Sequence, residues 1–269
     1  MIEALLLAVT RITTHSANAL STNATGFFFE REGRLYLVTN RHVVRDEEID
    51  HHPDRLEIVL HVDPANVATT TGFGIPLHVD GMPVWREGAD DGGTIDVVAI
   101  ELDRTALPET MLLHAFTPAH LLDDLDRIEA GAPVRIVGFP LGFHDTVHQL
   151  PVTRQAVVAS AFGIRFQGKG YFLTDARMHR GTSGAPVAVR LNAGESGRSE
   201  LVWTLLGIHA GRFDVDSRDD EQDERLSLNY AWYADILLTL TAAASTAPDS
   251  QGTRAVQPVT RPHRAPKKR

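Results

Sequence analysis

The sequence predicts an all-β fold, a barrel or a sandwich, on two observations. Short apolar and β-branched runs recur at 24–44, 56–62, 95–102, 134–139, 152–161, 171–174, 185–189 and 201–209, with turn-forming residues bounding most of them. Helical periodicity is confined to two places. In chain order, Ile2 to Val9 is apolar except for Glu3 and reads as a first strand. In ATGFFFEREGRLYLVTNRHVV (24–44), two β-forming runs flank Glu30-Arg31-Glu32-Gly33, which predicts a hairpin. The segment 103–130 breaks the pattern. Leu112, Leu113, Leu121, Leu122, Leu125 and Ile128 stand among acids there, and one or two short helices are expected as a connector between two β units. A C-terminal helix is expected over 231–244, where Trp232, Ile236, Leu237 and Leu240 recur at helical spacing. Residues 245–269 hold four prolines and few large apolar side chains, cannot support a core, and read as a disordered tail.

Composition narrows the function. The 269 residues suffice for one large or two small domains, and 43% apolar with 23% charged residues is an ordinary soluble composition. There is no cysteine, which excludes a disulfide scaffold, a thiol nucleophile and a thiolate metal site, and fits a reducing compartment. No stretch approaches the roughly 20 apolar residues of a membrane span. The first apolar run has an acid at position 3 and Arg11 after it, the reverse of a secretory signal, so a cytoplasmic setting is expected. The formal net charge is -9. Residues 241–269 contribute six basic residues and one acid, so of 26 basic and 35 acidic residues the body keeps 20 and 34, a balance of -14. Such a body repels polyanions, and any contact with nucleic acid falls to the basic tail.

Three segments carry the chemistry. LVTNRHVV (37–44) is a β run that ends in a polar turn presenting His42. TIDVVAIEL (94–102) opens with Asp96 at the mouth of an apolar strand, where a carboxylate is costly to desolvate unless something pairs with it. RGTSGAPV (180–187) sets Ser183 between Gly181 and Gly184, glycines that permit a tight turn with exposed backbone N–H groups. Each alone reads as well as a packed histidine, a strand cap or a loop. Their occurrence together in the order His, Asp, Ser is one known way to assemble base, orienting acid and nucleophile.

On these segments the sequence resembles the trypsin-like (chymotrypsin-fold) serine peptidases, in particular the stand-alone bacterial kind related to HtrA-type and glutamyl-endopeptidase branches. VRIVGFPLG (134–142), PVTRQAVVASA (151–161), YFLTDARMHRGTSGAPV (171–187) and LLGIHAG (205–211) extend the likeness over residues 4–240. The resemblance implies two six-stranded antiparallel β-barrels with a short connecting helix and a C-terminal helix. The first barrel would span 1–115 with His42 and Asp96, a connector 116–130, and the second barrel and helix 131–244 with Ser183. It implies Ser183 as nucleophile, His42 as base and then acid, Asp96 as the group that fixes the His42 tautomer, and the backbone N–H groups of Gly181 and Ser183 as the oxyanion hole. The substrate, a protein or peptide, would add as a strand along Ala210, Gly211 and Arg212. His209 and Arg177 fall where the first-subsite pocket lies, and an imidazole and a guanidinium there favour a glutamate or glutamine side chain. Against this stands the reading of His209 as a packed strand residue and Arg177 as solvated.

Two positions depart from the family pattern: Ala185 replaces a glycine, and Thr182 replaces the acid that pairs with a freed N-terminus, so no zymogen cleavage is expected. The alternative to an endopeptidase is a catalytically silent or partner-activated pseudo-peptidase that binds peptides, with an activating partner chain. No cofactor and no metal are expected. His51, His52 and His61 read as loop residues, and Pro140, Gly142 and Pro151 argue against a helical metal pair at His144 and His148. The seven acids of DVDSRDDEQDE (214–224) lack the spacing of a calcium loop.

Overall fold

The computed structural model describes residues 2–16, 22–191, 200–213 and 227–243. The acidic stretch 214–224 and the basic tail lie outside them. The chain forms fifteen strands: β1 (Val9–His15), β2 (Asn23–Arg31), β3 (Arg34–Thr39), β4 (Arg55–His61), β5 (Thr70–Pro76), β6 (His78–Val79), β7 (Met82–Pro83), β8 (Trp85–Asp90), β9 (Gly93–Leu102), β10 (Pro133–Gly138), β11 (Val152–Val158), β12 (Tyr171–Asp175), β13 (Pro186–Val189), β14 (Thr204–Arg212) and β15 (Leu228–Tyr233) among the described residues. The second half closes into a six-stranded antiparallel barrel, β10-β11-β12-β15-β14-β13, with β13 returning to β10. The first half makes the sheet of the other barrel, β5-β4-β1-β2-β3-β9-β8, and β6-β7 form a separate small hairpin. The all-β, two-barrel architecture is therefore present. The first sheet has seven strands, one more than expected, with β5 and β8 at its two edges.

The continuous apolar runs have a physical origin in this arrangement. Side chains alternate along a strand, and here both faces are buried. Phe27, Phe29, Tyr36, Val38, Val97 and Ala99 enter a core shared with Val137, Ala188, Leu205 and Ile208 of the second unit. Phe28, Leu35, Leu37, Val98 and Ile100 point the other way, into the core of the first unit. The second barrel has its own core around Val134, Ile136, Phe172, Val187 and Leu206. One face of each central strand fills its own barrel, and the other welds the two together. Full burial of such a side chain contributes about 1.5–3 kcal/mol.

The hairpin forms as the sequence predicts. Its turn is Glu32-Gly33, both at positive φ (52° and 76°), the two-residue geometry that matches strand twist. The connector carries its expected short helices as two 3-10 turns, Pro118–His120 and Leu125–Arg127. Two expectations are corrected. Residues 4–7 are one helical turn, with β1 beginning only at Val9. Ala-Leu-Leu-Leu is a run of strong helix formers, and the β-branched residues come after it. The C-terminal helix is short, Ile236–Leu240, and Trp232 belongs to β15.

Candidate active site

Residues distant in sequence meet at an open cleft of about 1380 Å3 whose walls come from both β units. His42, Asp96, Ser183, Arg177, His209, Ala210, Gly211 and Arg212 all line it.

The histidine side is built within the first unit. After β3 the chain makes a single helical turn, Arg41–Val44. Val43 and Val44 bury their side chains at 4% and 1% exposure, which pins the turn and leaves His42 facing the cleft. Asp96, near the start of β9, holds His42 at two points. Its Oδ1 accepts the His42 backbone N–H at 2.9 Å, and its Oδ2 accepts Nδ1–H at 2.8 Å. Two donors answer the desolvation cost of an acid at the mouth of an apolar strand. A carboxylate only accepts, so the ring proton sits on Nδ1 and Nε2 is the basic nitrogen. Asn40, fully buried, fixes the backbone beneath this pair by donating Nδ2–H to the Asp96 carbonyl at 2.6 Å. Burial pulls the His42 pKa down. The hydrogen bond and charge of Asp96, with Asp46 adding, outweigh it and leave the pKa above the ordinary 6.5.

The other side is a backbone turn of the second unit. Gly181 and Gly184 hold φ of 92° and 86°, positions where a side chain is strained. The Arg180 carbonyl accepts the Leu141 N–H at 2.6 Å, and the Thr182 carbonyl accepts the Ala185 N–H at 2.9 Å. In a trans peptide the carbonyl and the next N–H point in opposite directions. The amides of Gly181 and Ser183 are therefore turned away from those acceptors. Among the described residues they donate to no other group. Both donors are thus open, one of them the amide of Ser183 itself. The Ser183 hydroxyl itself donates to the Ala210 carbonyl at 3.1 Å.

Ala210 lies where β14 leaves its neighbour. β13 pairs with β14 only as far as Pro186–Ile208. Two backbone bonds, Gly184 N–H to the His209 carbonyl (2.9 Å) and His209 N–H to the Ala185 carbonyl (2.8 Å), carry the contact one residue further. From Ala210 on, β14 presents a sheet edge to the cleft, while β15 covers its other side. His209 is 2% exposed, and its Nδ1 has no hydrogen-bond partner among the described residues. Burial, with the neighbouring His42 adding, pushes its pKa down to about 3, so the ring is neutral. Arg177 is exposed on the cleft wall.

The departures are accommodated. Ala185 is fully buried in the second core. Thr182 is 1% exposed and donates Oγ1–H to the His179 carbonyl at 2.6 Å, inside its own turn. Other histidines are occupied elsewhere: His61 donates to the His148 carbonyl at 2.7 Å and His144 to that of Gly142 at 2.6 Å. No three His, Asp or Glu side chains are grouped so as to hold a metal ion among the described residues. No described helix is long and apolar enough to cross a membrane. Asn40 and Leu141 were not singled out from sequence. A polar residue at the end of an apolar strand was the only sign of the first, and nothing local marked the second.

A family model described as a trypsin-like peptidase domain matches residues 24–193, more than half of the chain. The chain belongs to this family. The chain also shares its fold with solved structures. The active form of the Rv3671c protease from M. tuberculosis superposes with a TM-score of 0.50 at 16% identity, over 90% of this chain and 83% of that one. The inactivated protease paralogue S-I1 of the scabies mite does so with a TM-score of 0.50 at 17% identity, over 87% and 92%. No curated protein matches.

Proposed function

We propose that the chain is a serine endopeptidase that cleaves peptide bonds through an acyl-enzyme, with Ser183, His42 and Asp96 as its triad. The observation that carries this is the two-point hold of Asp96 on His42 in the same cleft as Ser183. With no cysteine in the chain, a hydroxyl is the available nucleophile.

An extended peptide pairs with the edge at Ala210–Arg212 and brings its carbonyl to Ser183. The hydroxyl turns from the Ala210 carbonyl toward His42. Oγ bonds to the carbonyl carbon as its proton passes to Nε2. The oxyanion is received by the amides of Gly181 and Ser183, donors set in place before the reaction. His42, now cationic beside Asp96, gives the proton to the leaving amine, and the C–N bond breaks. Water then repeats the sequence on the acyl-enzyme and returns Ser183 to its hydroxyl. The pocket behind Ser183 takes a glutamine or glutamate side chain. The neutral His209 offers a hydrogen bond there, and Arg177 offers a positive charge at the rim. The cysteine-free sequence fits a cytoplasmic setting.

One observation favours a second reading, a peptidase activated by a partner. At rest the Ser183 hydroxyl is bonded to the Ala210 carbonyl. Labelling with a fluorophosphonate probe separates the two. Rapid labelling of the purified protein, lost in Ser183→Ala, supports the free-standing enzyme. No labelling of folded wild type refutes it and favours the partner-dependent or silent form.

A further inference from the structure

We infer that Thr25, a residue of the first β unit, is the positioning residue that holds the oxyanion turn of the second unit. The two open amides beside Ser183 are then presented only while the units are docked through it. The inference rests on the triad reading above.

Thr25 is fully buried in β2, and each of its polar groups is used across or beside the junction. Pairing between β2 and β3 runs from Arg31–Arg34 only to Phe27–Val38, so Thr25 lies past its end. There its N–H donates to the Ser183 carbonyl at 2.9 Å. Its hydroxyl donates to the Gly181 carbonyl at 2.8 Å. With its single proton so used, the same oxygen accepts the Phe139 N–H at 3.1 Å. Its carbonyl accepts the Thr39 hydroxyl at 2.9 Å, which ties the arrangement to the strand leading to His42.

The bonded carbonyls identify the role. Four consecutive carbonyls of the turn are held: Arg180 by the Leu141 amide, Gly181 by the Thr25 hydroxyl, Thr182 by the Ala185 amide and Ser183 by the Thr25 amide. Fixing every carbonyl fixes every peptide plane, and so the direction of the amides that receive the oxyanion. Two of the four anchors come from one residue of the opposite unit. The approach is close enough to require glycine on the facing chain. A Cβ on Gly138 would stand 2.7 Å from the Thr25 hydroxyl oxygen, and one on Gly184 would run into the Thr25 carbonyl oxygen.

The test uses the full chain and four proteins: wild type, Thr25→Val, Thr25→Ser and Thr10→Val. The valine keeps the shape of Thr25 and removes the hydroxyl. Thr10 supplies the control, since it is equally buried in the same sheet and its hydroxyl donates to the Val59 carbonyl at 2.8 Å, away from the turn. The readout is the second-order rate of fluorophosphonate labelling across pH, with thermal midpoints alongside. Thr25→Val is expected to label about 30-fold more slowly or worse, approaching the loss of an oxyanion donor. Its pH midpoint should not move, because the His42–Asp96 pair is untouched. Thr25→Ser and Thr10→Val should stay within about threefold of wild type. Equal labelling of Thr25→Val and wild type overturns the inference, as does an equal loss in Thr10→Val, which would reduce the effect to general stability. If Thr25→Val does not fold, Thr25→Ala, which also lacks the hydroxyl, decides through its rate: a comparable loss supports the inference, and labelling at the wild-type rate overturns it. Wild type that folds and does not label brings down the triad reading itself, and this inference with it.

Discussion

The two halves of the cleft are held by different means. On the first side, His42 is fixed by side chains of its own unit: Asp96 grips it twice and Asn40 steadies the backbone of Asp96. On the second side, Ser183 sits on a turn whose backbone is anchored from elsewhere, by Leu141 within the barrel and by Thr25 across the junction. A base needs one tautomer and one orientation, which a single carboxylate supplies. An oxyanion hole needs two peptide planes turned against their neighbours, which only a set of backbone anchors supplies. The proposed base is therefore a local construction, whereas the turn proposed to carry the nucleophile is anchored from both β units.

The sharpest test of the second side is Ser183→Ala, expected to lower peptide turnover by about 10⁶-fold while leaving the fold unchanged. Next comes Asp96→Asn, which tests the first side. It should reduce kcat by about 10⁴-fold through the wrong tautomer. Its companion is a pH profile. The base works only when neutral, and Asp96 raises the His42 pKa, so the wild-type rate should climb with pH through a midpoint above 6.5. A midpoint below 6.5 in the wild type would contradict the described pairing.

His209→Leu probes the proposed first-subsite pocket. Its kcat/KM for peptides with glutamine or glutamate before the scissile bond should fall by about 10²-fold, and for leucine peptides change little. Equal losses on all substrates would mean a packing role only. The same side chain bears on stability. Its folded pKa of about 3 lies below the unfolded 6.5, so the unfolded state takes up the proton first. Stability is full above 6.5 and declines as pH falls toward 3. The urea midpoint followed from pH 7 to 4 should show this slope, and His209→Leu should flatten it. The smallest effect is reserved for a site remote from the cleft. Gly33→Ala forces a side chain into positive φ in open space and should cost about 1–2 kcal/mol with activity intact.

Much of this was legible in the residues. The β2–β3 hairpin declared itself through two apolar runs and a turn ending in glycine. The segments around His42, Asp96 and Ser183 stood out as chemistry placed at strand ends. β5 and β8 left no such mark, because nearly all of their residues are exposed or only half-buried and no apolar run forms. Trp232 mimicked helical spacing with Ile236 and Leu240, yet it pairs with Tyr171 and Ile208 across two strands. Leu5 and Leu7 are buried in the helical turn before β1, where burial alone does not separate strand from helix.

By itself the sequence determined what depends on near neighbours and on residue chemistry: strand runs, the Glu32-Gly33 turn, the absence of a thiol, and three segments able to supply base, acid and hydroxyl. Only the tertiary structure decided which groups meet. That Asp96 answers His42, that β13 releases β14 at the point where Ala210 opens to the cleft, and that Thr25 grips the turn around Ser183 are all contacts between distant residues. Hydrogen-bond direction and peptide-plane orientation leave no local periodicity in a sequence, because they are set where two sheets meet on a shared core.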